Sequence, residues 1–156
     1  MRWSRVRIEA IGHALAPVVV STEELEERLR PLYRRLRIRP GQIEAMTGIR
    51  ERRFWEPDFP VSEGATTAAV HALSRCAVPV SEIRTLIYAG VCREHFEPAT
   101  AFHVADSLGR LGHSLDPRTE LFDISNACLG MLNGAVELAH RIERGEIGRA
   151  SCRERV

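Results

Sequence analysis

The sequence predicts an α/β layered fold with a largely parallel sheet. Two apolar runs with strand character, 83–91 (IRTLIYAGV) and 120–125 (ELFDIS), are each followed by a helix-patterned segment. Glycine or proline separates most of these segments, which gives a strand–helix alternation rather than runs of one type. The 156 residues suit one domain or part of one, and 44% hydrophobic against 28% charged residues is enough to build a core.

Taken in order, residues 6–11 alternate and predict a strand closed by Gly12. Ser21 is a candidate N-cap, and Glu24 three residues later completes a capping box. Leu25, Leu29, Leu32, Tyr33 and Leu36 then continue one helix until Arg39-Pro40-Gly41 breaks it. Residues 46–55 are dense in charge and predict an irregular segment. A helix follows over 62–74, then the strand at 83–91 and a short helix over 99–108 ended by Gly109. Asp116-Pro117-Arg118 makes a turn, 120–125 a strand, and 129–142 a helix stopped by Gly145. The organisation expected is one unit over 1–147. The remainder, 148–156, contains GRASCRERV, lacks a strand pattern where the next strand is due, and reads as a foreign sequence joined at a truncation.

Several classes are excluded or disfavoured. A formal net charge of +1 offers no electrostatic case for nucleic acid. The longest apolar runs, such as 14–20, are too short to span a bilayer, and no secretory pattern opens the chain, so a cytoplasmic location is the expectation. Cys76, Cys92, Cys128 and Cys152 form no C-x-x-C pair and no zinc-type Cys/His cluster; free thiols and no metal are expected.

Cys128 lies where the strand 120–125 gives way to a helix. Unpaired N–H groups and the positive end of the macrodipole favour a thiolate there, and a strand-to-helix turn exposes the side chain. Gly130 and Gly134 leave room for other backbone or a ligand to approach. Free cysteine is also a common core residue, so position alone leaves both readings open.

Three segments carry a resemblance: TGIRERRFW (47–55), EPATA (97–101) and FDISNACLGMLNG (122–134). Together they resemble the ketoacyl synthase III group of thiolase-fold condensing enzymes, over about 6–147. The resemblance implies that Cys128 accepts an acyl group from a coenzyme A or carrier-protein thioester. A carbanion from a second thioester then attacks that acyl-enzyme in a Claisen condensation. It implies substrate contacts at Asn126, Thr47 and Arg50, no cofactor beyond the thioester substrates, a homodimer, and a catalytic His and Asn in a later half of the protein. The tryptophan and arginine that malonyl-specific members carry before this motif are replaced by Gln42 and Met46, which removes the stacking partner of the coenzyme A adenine. Glu97 replaces a phenylalanine and is similar to the olefin-pathway branch, which joins two long acyl thioesters head to head. There the glutamate is the general base, and a greasy pocket would raise its pKa. Read without the resemblance, Glu97 is an exposed loop acid.

The other candidates have simpler readings. Arg50, Arg52 and Arg53 suit ion pairs with Glu51 and Asp58, Phe54 and Trp55 a packed cap, and Asn126 support of its turn through backbone hydrogen bonds. His95, His103 and His140 read as bystanders. Two other functions stay open: a cysteine hydrolase or simple acyl-transfer enzyme pairing Cys128 with a local His, and a non-catalytic thiolase-like subunit, which the presence of the cysteine disfavours.

Overall fold

The computed structural model describes residues 3–148 and the backbone of residues 150–154. The chain divides into two compact units, Leu15–Phe59 and the segments Met1–Ala14 with Pro60–Val156.

In the unit Leu15–Phe59, strand β1 (Val18–Ser21) pairs antiparallel with β2 (Glu51–Phe54), Val18 opposite Phe54 and Ser21 opposite Glu51. Helices α1 (Thr22–Arg28), α2 (Arg30–Leu36) and α3 (Gln42–Thr47) lie between them in sequence. Ser21 caps α1 as expected, its Oγ accepting from the Glu24 N–H at 3.0 Å. The Glu24 carboxylate pairs with Arg28.

Two expectations change in this unit. The single helix over 21–36 is two helices that meet at Leu29, because Pro31 has no N–H to continue the ladder. The segment 46–55 is not irregular. Thr47 donates from its hydroxyl to the Ile43 carbonyl at 2.6 Å, Gly48 closes α3 in the left-handed region (φ 68°), and β2 follows. The sequence hides β2 because ERRF has three charged residues and no apolar alternation, and depends on β1 for its ladder.

In the other unit, β3 (Thr85–Ala89) is the middle strand of a parallel sheet, with β4 (Glu120–Ile124) on one side and β5 (Ala150–Glu154) on the other. Every residue of β3 is buried. Its period of two divides the core: Leu86 and Tyr88 pack with α4 (Val61–Leu73) and α5 (Thr100–Arg110), whereas Ile87 packs with α6 (Gly130–Glu143). The sheet therefore has helices on both faces, the α/β layering expected from the sequence.

The strand expected at 6–11 does not form. Both edges of β3 are taken, and Gly12 instead presses the segment onto α4, where a Cβ would sit 2.2 Å from the Ala68 carbonyl oxygen. At the opposite end of that segment, Ser4 donates from its hydroxyl and N–H to the Glu143 carboxylate of α6. Residues 150–154 fill a strand position that their sequence did not advertise; main-chain pairing along the free edge of β3 needs no apolar side chains. Residues 149, 155 and 156 of the expected foreign tail lie outside the described residues.

At three of the helices that start at residues without a capping side chain, at Gly41, Pro60 and Ala99, a carboxylate from elsewhere in the chain supplies the cap. Glu26 accepts from the N–H groups of Gly41 and Ile43 at α3. Glu94 accepts from the N–H and hydroxyl of Ser62 at α4, both at 2.7 Å. Asp123 accepts from Thr100 N–H at 2.8 Å and Ala101 N–H at 2.9 Å at α5.

Candidate active site

The parallel sheet places two loops side by side. After β3 the chain turns to α5 on one face; after β4 it turns to α6 on the opposite face. Neighbouring strands whose connections part in this way leave a crevice at their carboxyl ends, where open α/β sheets bind ligands. The Gly90 N–H donates to the Ile124 carbonyl at 3.1 Å and ties the two loops at their roots.

The loop after β4 carries Cys128, which is exposed and free. Ala127 before it has φ 41°, a left-handed conformation that a non-glycine residue holds only under local constraint. That constraint is a tight turn: Leu129 N–H donates to the Asn126 carbonyl at 2.9 Å and Gly130 N–H to the Ala127 carbonyl at 3.3 Å. Helix α6 begins two residues after the cysteine with no side-chain cap, unlike α3, α4 and α5. Asn126 supports the turn through its carbonyl, as expected, and its amide donates to the Asn133 side chain at 2.6 Å. Gly130 differs from expectation. A Cβ there would meet Ala89 and the Ile124 carbonyl at an ordinary 3.6 Å, so sterics do not demand a glycine.

The loop after β3 carries Glu97, joined to Pro98 by a cis peptide bond and exposed to solvent; no apolar pocket encloses it among the described residues. The Tyr88 hydroxyl donates to the Cys92 carbonyl at 2.9 Å, and Glu94 is held on Ser62. Asp123 is the strongest tie. Its side chain is 4% exposed, lies in the same FDISNAC stretch as the cysteine, and fixes the start of α5 three residues beyond Glu97. Arg93 of the same loop approaches it at 4.0 Å. Sequence reading missed Glu94 and Asp123; the available signal was a pair of helices opening on Pro60 and Ala99 without a Ser, Thr, Asp or Asn to cap them.

Thr47 and Arg50 belong to the unit Leu15–Phe59. The Thr47 hydroxyl finishes α3, and the Arg50 guanidinium, 87% exposed, pairs with Glu44 at 3.5 Å. Arg52 donates to the Thr22 hydroxyl, and Arg53 reaches Glu51 at 3.8 Å. The expected cap of Phe54 and Trp55 is instead a stack of Trp55 on Phe59, with ring centroids 4.2 Å apart. His95 and His103 face each other at 5.2 Å beside Glu94, and His140 meets Trp3 edge-on.

No family model matches the chain. Over 147 residues, 94% of its length, it is 48% identical to an acyl-CoA:acyl-CoA alkyltransferase of Shewanella oneidensis. It superposes with a TM-score of 0.82 and 35% identity on the crystal structure of a 3-oxoacyl-(acyl carrier protein) synthase III from Xanthomonas oryzae, covering 94% of this chain and 42% of that one. The chain is homologous to ketoacyl synthase III enzymes over nearly its whole length, matching their N-terminal part. A third relative is the Xanthomonas campestris OleA cysteine-to-serine variant, solved with bound lauric acid and lauroyl-CoA. The chain matches it with a TM-score of 0.81 and 36% identity over 94% of its own length and 42% of that chain. The chain thus spans about two fifths of the length of its ketoacyl synthase III relatives, their N-terminal part.

Proposed function

We propose that the protein is an acyltransferase of the head-to-head condensing type, with Cys128 as acyl acceptor and Glu97 as general base. The observation that carries this reading is the exposed Cys128 on a constrained turn at the carboxyl edge of the sheet, in a chain 48% identical to an acyl-CoA:acyl-CoA alkyltransferase. The Cys128 thiolate attacks the carbonyl of an acyl-CoA or acyl-carrier thioester. The tetrahedral oxyanion collapses, the carrier thiolate leaves, and a thioester forms on Sγ. Main-chain N–H groups at the uncapped start of α6 favour negative charge on the sulfur and on the oxyanion. Glu97 takes an α-proton from a second acyl thioester. The carbanion attacks the acyl-enzyme carbonyl, a carbon–carbon bond forms, and the cysteine thiolate departs, leaving a β-ketoacyl thioester.

Asn126, through its turn, holds the cysteine; contacts of Thr47 and Arg50 with the thioester carrier are part of the same proposal. The absence of tryptophan at Gln42 leaves the coenzyme A adenine to other contacts. A homodimer in which Glu97 serves the partner's cysteine, with a histidine and an asparagine from the later part of the protein, completes the machinery, in a cytoplasmic setting. Among the described residues no helix is long and apolar enough to cross a membrane.

The test uses the protein at the full length of its relatives. Incubation with lauroyl-CoA should add one lauroyl group to Cys128 by intact-mass and peptide spectrometry, and Cys128→Ala should abolish it. Glu97→Ala should leave that adduct intact and reduce formation of the condensed β-keto product by a factor of about 100 or more. An adduct that survives Cys128→Ala removes the cysteine from the mechanism, and an unchanged condensation rate in Glu97→Ala returns Glu97 to a plain loop acid.

A further inference from the structure

Glu94, His95 and His103 bring a carboxylate oxygen and two imidazole nitrogens within 4.8 Å of one another. Glu94 and His95 lie on the loop after β3, and His103 on the first turn of α5, so the cluster joins the loop to the helix that follows it. The His103 Nε2 is buried and has no partner among the described residues, and neither has Thr100 Oγ1 one turn earlier on the same helix side. Buried polar atoms are nearly always satisfied, and two orphans within one turn of helix leave donors and acceptors open to a further ligand.

The chemistry of the set narrows that ligand. Two neutral imidazoles and one carboxylate are borderline donors that suit zinc, with water in the fourth tetrahedral position. The carboxylate is already fixed by other bonds. Glu94 Oε1 accepts twice from Ser62, which leaves Oε2 to point elsewhere, and such outer bonds set the aim of a ligating group. Tetrahedral zinc needs donor atoms about 3.4 Å apart, from bonds of about 2.1 Å. His95 is exposed and can turn its ring by that margin, whereas Glu94 and His103 are half-buried and Glu94 is held by Ser62. Arg93, the neighbouring cation, approaches Asp123.

We propose that Glu94, His95 and His103 form a zinc-type divalent cation site that clamps the Glu97 loop to α5. His95 stands two residues before Glu97, so an occupied site restrains the loop that carries it. The site owes nothing to the acyl chemistry above and stands or falls by itself.

Calorimetric titration of the chelator-treated chain with Zn²⁺ alone tests it. One ion per chain should bind, and both His95→Ala and His103→Ala should weaken it about tenfold or more. Ser62→Ala, which removes one of the two bonds that orient Glu94, should weaken it by a smaller factor. A variant with Cys76, Cys92, Cys128 and Cys152 all changed to serine should bind as tightly as the parent. Co²⁺ substituted into the unmodified chain should give d–d absorption without a thiolate charge-transfer band, a readout that does not depend on any variant folding. Absence of saturable binding, full affinity in either histidine variant, loss of binding with the cysteines, or a thiolate band would each overturn the proposal.

Discussion

Asp123 shows how far one side chain reaches in this fold. A carboxylate 4% exposed is stable only because the N–H groups of Thr100 and Ala101 and the guanidinium of Arg93 surround it. Removing it uncaps α5 and frees the segment that carries Glu97. Asp123→Ala is expected to lower stability by about 1–2 kcal/mol, read from the denaturant midpoint, with Asn restoring part of it through one remaining acceptor. An unchanged midpoint in the alanine variant would show that solvent replaces the cap. At this scale the sequence was uneven. Cys128 and the Ser21 cap were legible because their signals are local, a strand-to-helix change and a Ser-x-x-Glu spacing. Asp123 and Glu94 were not, because each caps a helix whose own start is silent and lies more than 20 positions away.

Among the elements, the hairpin of β1 and β2 and the helices between them have one electrostatic clasp. Glu26 accepts from Gly41 and Ile43 at the start of α3 and from the Tyr33 hydroxyl at 3.3 Å. The N–H of Gly41 above all, then that of Ile43, holds the Glu26 carboxyl below its ordinary 4.5. Burial and the adjacent carboxylate push the Tyr33 hydroxyl up. A depressed carboxyl contributes stability that is complete above the unfolded value and disappears as pH falls through the folded one. Acid titration of the chain should therefore loosen α3 only below about pH 4.5, followed by amide exchange of Gly41 and Ile43, and Glu26→Gln should remove that pH dependence. Equal protection factors at pH 6 and pH 3, after division by the intrinsic exchange rates, would remove the clasp from the account. Element types were legible where apolar periodicity was strong, as in β3, α4 and α6. They failed where a partner strand decides the outcome. Residues 6–11 alternate but find no free edge of β3, and ERRF has no apolar alternation yet pairs with β1 along its full length.

For the molecule as a whole, the core is sound and many large apolar side chains reach the surface. β3 is buried on both faces, but α6 exposes Met131, Leu132 and Val136, and Leu129 just before it is 54% exposed. Phe96 is 93% exposed on the loop that carries Glu97. Large apolar side chains exposed along one helix favour contact with another surface. The chain studied alone is expected to self-associate, eluting above its 17.5 kDa monomer mass and binding a hydrophobic dye, and to lack condensing activity. A monomeric elution at micromolar concentration with no dye binding would contradict this. The layered architecture was readable from strand–helix alternation alone, whereas the division into the units Leu15–Phe59 and the remainder was not, because no linker composition marks it.

The distant carboxylate caps also bear on how the chain is made. Helix α4 receives its cap from a residue 32 positions beyond Ser62, and α5 from one 23 positions beyond Thr100. During synthesis at about 5–20 residues per second, each helix therefore exists for a second or more before the residue that completes it has left the ribosome. Order in these helices should arrive in steps set by translation, α4 settling with the loop after β3 and α5 only with β4, so that Cys128 follows directly behind the residue that closes its scaffold.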